Sequence, residues 1–169
     1  MMRITLLIFV SCYFYNIGFG QLENHQKLFF NAKDVNGIQK FFDWSKTSKQ
    51  NNATEKAYVG MATAMYAELC GGVQQKLTQF TRGKELLNAS IESEPNNAEL
   101  RFLRFSMQCE TPWFLNFNSD IEKDANVILK ALTDKKIVAD SAFWKKALAY
   151  MKNTGELSDS QMAILKKYL

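Results

Sequence analysis

The stretch EPNNAELRFLR, Glu94 to Arg104, decides how this chain is read. It sets a proline and two asparagines between two runs whose apolar residues recur at helical spacing. Upstream, Val73, Leu77, Phe80, Gly83, Leu87 and Ile91 follow one another at intervals of four, three, three, four and four, one continuous helix face. Pro95 ends that helix, because a proline has no N–H and its ring clashes with the preceding turn. Asn97 restarts the chain into a helix running to about Gln108. The stretch is either a joint between two stacked helical hairpins or a turn inside an ordinary bundle, and its neighbours argue for the joint.

Working outward, helical patterning dominates and no run alternates apolar with polar residues, so no strand is predicted. A first pair covers roughly 22–32 and 34–46, with Phe41, Phe42 and Trp44 as its apolar content. Asn52 opens a stronger helix, with Glu55 three residues on as in a capping box, and the helix stops near Cys70 before Gly71 and Gly72. The next helix spans about 73–93. Gly83 sits within its apolar face, where glycine costs about 1 kcal/mol against alanine, so close approach of another helix is expected there. Ser119 to Glu122 reads as a capping box opening a helix to about Thr133. Further helices are expected over about 137–153, closed by Gly155, and from a second box at Ser158–Gln161 to Tyr168. Hairpins then start near Asn52, Asn97 and Lys136, about 40 to 45 residues apart, a period of helical-pair repeats. The expected fold is all-α, a stack of three or four helical hairpins.

The segment SIESEPNNAELRFLR resembles the joint between two tetratricopeptide repeats. Pro95 matches the proline that closes the family's second helix, Gly83 falls at its small position, Val59-Gly60 is similar to its Leu-Gly pair, and Ala62 fits a packing position. The resemblance implies a tetratricopeptide-like α-solenoid fragment with lengthened helices. The Gly60-to-Pro95 interval is about eleven residues too long for the standard 34-residue repeat, and the family's tryptophan and tyrosine positions are unmatched. Its carboxylate clamp does not carry over, because the corresponding positions are Glu99, Phe102 and Leu103. The chain also resembles small exported helical proteins of Bacteroidetes-type bacteria, in which a mature N-terminus beginning with Gln is common; that implies a compartment and no activity.

The first twenty residues, MMRITLLIFVSCYFYNIGFG, have a positive start at Arg3, an apolar run and small residues at Gly18 and Gly20. This is the pattern of a signal peptide cleaved near Gly20-Gln21, leaving residues 21–169 as a single domain, periplasmic or secreted. An uncleaved anchor, or acylation at Cys12, is the alternative. Loss of Arg3 takes the formal charge from +4 to about +3, too weak a balance to argue for nucleic acid. The lysines of the C-terminal third are read as solvated faces, with a surface for anionic lipid or an acidic partner the less favoured alternative. Cys70 and Cys109 remain in the mature chain as a disulfide candidate or as two buried thiols. Asn52-Ala-Thr54 and Asn88-Ala-Ser90 are glycosylation sequons.

The residues exclude much chemistry. His25 is the single histidine and is expected at the surface, so nucleophilic triads and histidine-rich metal sites are ruled out. No phosphate-loop motif exists, and no cofactor or metal is implied. Asp120, Glu122 and Asp124 read as helix-start acids favoured by the dipole. Arg101, Arg104 and Gln108 share a polar face with Asn97 on a helix that is apolar on two other sides. They are expected to line a groove, where two guanidiniums can hold a carboxylate or phosphate, or else to be solvated or paired with Glu94 or Glu99. In the following loop, Trp113 and Phe114 are candidate apolar anchors; such a loop otherwise folds down onto the core. The leading expectation is a non-enzymatic module binding a peptide segment or protein partner through Arg101, Arg104, Gln108, Trp113 and Phe114. A structural subunit of an envelope assembly and a carboxylate-based hydrolase are the alternatives.

Overall fold

The structure, a computed structural model, describes residues 23–169. The signal-peptide and Cys12 readings fall outside the described residues. Eight α-helices and no strands occur among the described residues: α1 Asn24–Asn31, α2 Val35–Thr47, α3 Ala53–Tyr66, α4 Val73–Ser93, α5 Ala98–Glu110, α6 Ile121–Thr133, α7 Ala142–Asn153 and α8 Asp159–Leu165. The fold is the expected all-α stack. Successive helices pair as neighbours from α1 through α6, and α8 packs on both α6 and α7.

The Glu94–Asn97 segment is a joint. Helix α4 ends at Ser93, and the Asn97 side chain caps α5 by accepting from Glu99 N at 3.0 Å and Leu100 N at 3.4 Å. Asn97 Nδ2 also donates to Glu94 Oε2 at 2.7 Å, which ties the two ends of the joint together. The chain leaves the α3/α4 hairpin here and enters the α5/α6 hairpin.

Helix α5 is the centre of the molecule. Leu100, Phe102, Leu103 and Phe105 have almost no exposed surface, and the whole run Leu100–Gln108 is buried. The Phe102 ring lies within 6.4 Å of the rings of Phe29, Phe30, Phe143 and Trp144. Helices from both ends of the chain therefore meet on one aromatic side chain. Packed aromatic pairs add to the burial of area itself.

The close approach expected at Gly83 is made by Gly60. A Cβ on Gly60 would lie 2.7 Å from Gly83 O, and one on Gly83 would lie 2.5 Å from Ala64 N. Both glycines allow α3 and α4 to touch backbone to backbone, which offsets their poor helix propensity.

Three local expectations change. The Ser119–Glu122 box does not form: Asp120 precedes α6, its side chain makes no cap, and its N–H is taken by Gln108 Oε1 at 2.9 Å. The helix expected from Ile137 begins at Ala142, where the Ser141 hydroxyl accepts from Trp144 N at 3.4 Å. Before it, Lys135 takes a left-handed φ of 56°, and Lys136 N reaches back to Ala131 O at 2.9 Å. That is a Schellman stop made without glycine, so the usual signal was missing from the sequence. Finally, His25 is buried rather than at the surface, with its ring centroid 4.4 Å from Tyr58 and 5.9 Å from Trp44. Its position on an amphipathic helix that docks inward outweighs its polar neighbours.

Candidate functional site

Two features bear on function: a buried charge cluster and an open apolar groove. The cluster contains three of the five site residues expected from sequence. Arg101, Arg104 and Gln108 do not line a groove; all three turn inward onto Asp124, which is fully buried on α6. Arg101 Nη1 donates to Asp124 Oδ1 at 2.9 Å, and Arg104 donates through Nε to Oδ2 at 2.8 Å and through Nη2 to Oδ1 at 2.7 Å. Gln108 Nε2 adds a fourth bond to Oδ2 at 3.0 Å. Arg101 also donates from Nε and Nη2 to Pro95 O, at 2.9 and 2.7 Å.

One carboxylate thus fastens α5 to α6, and one guanidinium fastens both to the Glu94–Asn97 joint. The planar forks suit this geometry in a way a lysine cannot. Burial alone would lower the Arg104 pKa; its hydrogen bonds and charge contact with Asp124, assisted by Asp120 at 3.4 Å, raise it instead. Both guanidiniums are buried with their charge held by Asp124, so neither is presented to an external carboxylate. The helical spacing placed them on one face correctly. That the face meets α6 and not an opening followed from packing, and Asp124 was legible only as a helix-start acid.

The other two residues, Trp113 and Phe114, lie on the surface. Pro112 leads into a 3-10 turn at Trp113–Leu115, and Asn116 closes it with a left-handed φ of 48°. This turn leaves Leu115 half-buried at the groove and Trp113 82% and Phe114 67% exposed. Phe117 returns to the core edge, its ring 5.9 Å from Phe80 with Lys84 Nζ above it.

Pro112 and Leu115 form one border of a groove of about 830 Å³. Its floor is Met61, Ala64 and Met107 from α3 and α5; its walls come from Phe29 and Phe30 of α1, Leu77 and Phe80 of α4, and Ala149 and Tyr150 of α7. Sequence reasoning missed this groove because its lining is scattered over separate helices, each contributing one or two ordinary apolar residues. Charged side chains reach it from Lys33, Lys76, Lys146, Glu68 and Glu110, all exposed. Tyr150 donates to Glu110 Oε1 at 2.7 Å. Burial, then the Glu110 hydrogen bond and charge, push the Tyr150 hydroxyl well up.

Cys70 and Cys109 are two separate free thiols. Cys70 Sγ lies 3.6 Å from Tyr66 O. The Cys109 thiol is pushed up to about 12 by burial and then by Glu156 and Glu110, so it is an unreactive packed side chain near neutral pH. Among the described residues no group of His, Cys, Asp or Glu has the arrangement of a metal site, and no helix is long and apolar enough to cross a membrane. No protein-family model, curated protein or solved structure matches this chain.

Proposed function

We propose that this chain is a non-enzymatic, exported interaction module that takes a peptide segment or protein partner in the groove bordered by α1, α3, α4, α5 and α7. The observation that carries the reading is the juxtaposition of an open apolar groove of about 830 Å³ with two exposed aromatic side chains, Trp113 and Phe114, on the turn that forms its border. Exposed apolar surface of this kind is uncommon on a free monomer and marks a contact site. Aromatic residues are the side chains on which interface energy concentrates. The buried carboxylate Asp124 has both oxygens taken by Arg101, Arg104 and Gln108, which argues against its use as an acid or base. Export rests on residues 1–20, and the hairpin stack is read as tetratricopeptide-like with lengthened helices.

The test is site-directed photo-crosslinking from envelope fractions. A photoreactive aromatic residue replaces Phe114, alone or together with Leu77→Glu. A partner captured by the first protein and lost with Leu77→Glu, with helicity unchanged, supports the reading. Equal capture by both moves the contact to another surface. Capture of nothing refutes a macromolecular partner at this site.

A further inference from the structure

We infer that the groove takes an amphipathic α-helix whose apolar face is flanked by acidic residues; this deepens the reading above and rests on it. An occupant of this groove has to satisfy its own backbone. The hydroxyls that line the groove wall are already engaged: Ser106 Oγ bonds Leu103 O at 2.9 Å, Thr111 Oγ1 bonds Met107 O at 2.6 Å, and the Tyr150 hydroxyl is held by Glu110. An extended peptide would bring unpaired N–H and C=O groups against this wall, and burying them without partners is costly. No strand exists among the described residues to which an extended segment could add. A helix satisfies its own backbone and presents only side chains.

Met61, Met65 and Met107 lie in the lining. Unbranched thioethers adjust to an irregular row of side chains and suit a helix laid in a groove. Trp113 and Phe114 stand outside the groove on its border, so an occupant that covers them is larger than the cavity itself. That favours a helix of a macromolecule over a small amphiphile.

Lys33, Lys76 and Lys146 reach the groove and make no salt bridge among the described residues. Lys146 Nζ lies 5.5 Å from the Phe30 ring centroid, so one cation already leans over the apolar wall. Two carboxylates, Glu68 and Glu110, also reach the groove, against the three lysines. The rim keeps a small positive excess, which complements acidic flanks.

The test uses designed peptides of about 18 residues, roughly 27 Å as a helix, titrated by calorimetry against residues 21–169. One carries leucines at helical spacing with glutamate flanks; the second exchanges glutamate for lysine; the third is the first with two central prolines; palmitate is the fourth probe. The glutamate peptide is expected to bind about tenfold more tightly than the lysine peptide, the sum of several exposed ion pairs, with the advantage shrinking as salt is added. Lys76→Glu combined with Lys146→Glu, both exposed and checked for unchanged helicity, should reverse the order. Leu77→Glu should abolish binding of every peptide.

Equal binding of the glutamate and lysine peptides overturns the acidic assignment. Equal binding of the proline peptide overturns the helix. Both results leave peptide binding at the groove standing. Binding of palmitate alone, or of no probe, overturns this inference and the peptide-binding reading together.

Discussion

Replacing Asp124 with alanine is the sharpest test of how this molecule is held together. Asp124 is fully buried and accepts four hydrogen bonds, two from Arg104 and one each from Arg101 and Gln108. Its removal strands two guanidiniums that are themselves 5% and 7% exposed. Breaking a buried ion pair from one side costs about 3–5 kcal/mol, because the remaining charge stays buried and uncompensated. Summing four charged hydrogen bonds at about 1.5–3 kcal/mol each would overshoot, since the bonds share one group and are not independent. The lower figure is already a large part of the roughly 5–15 kcal/mol that stabilises a domain. At about 2–4 °C per kcal/mol for this size, melting should fall by roughly 6–20 °C.

The assay is urea and thermal unfolding followed by far-ultraviolet circular dichroism. Asp124→Asn should also destabilise, because its amide group would face the Arg104 and Gln108 donors. Replacing the whole cluster (Arg101→Met, Arg104→Met, Asp124→Leu) should recover at least half of the loss, since an apolar substitute avoids desolvating any charge. An Asp124→Ala loss below about 1 kcal/mol would refute the reasoning, because it would mean the cluster is open to water.

Three further predictions are independent of that one. Gly83→Ala, which in an exposed helix would stabilise by about 1 kcal/mol, should instead destabilise by about 1–3 kcal/mol, because its Cβ would sit 2.5 Å from Ala64 N; a rise in the urea midpoint would sink the close-contact account. Trp113→Ala and Phe114→Ala should change stability by less than about 0.5 kcal/mol, since both side chains are largely exposed; a larger loss in chemical denaturation would make them packing residues. Stability should fall as pH rises above about 8.5, and faster above about 10. Cys109 is pushed up to about 12 by burial and its glutamate neighbours, and burial, with Glu99 and Glu110 respectively, pushes Tyr58 and Tyr150 up. The unfolded chain therefore releases these protons first, and deprotonation favours it. A urea midpoint constant between pH 7 and pH 10.5 would contradict this, as would Cys109 reacting as fast as Cys70 with a maleimide at pH 8.

Much of the fold was legible because local chemistry and global packing agree. Pro95 and Asn97 mark a real joint, the Asn52 and Ser158 caps form, and Gly83 stands at a real helix crossing. Errors arose where a tertiary contact competed with a local signal. Helix α6 starts after Asp120, whose N–H is held by Gln108, and the Ser119 box is absent. Lys135 adopts a left-handed turn that is ordinarily left to glycine. His25 is carried into the interior by the helix that bears it.

The candidate site shows the same division. By itself the sequence determined an all-α chain, the order and caps of most helices, the face shared by Arg101, Arg104 and Gln108, and the presence of Trp113 and Phe114 in a loop. These depend on periodicities and turn residues that act over a few positions. Only the tertiary structure decided which way that polar face points, and it points to Asp124 on the neighbouring helix. It alone also assembled the groove, whose lining residues are unremarkable on their own helices. A helix period specifies which side chains share a face; the packing of one helix against the next decides whether that face meets a partner, the interior or an opening.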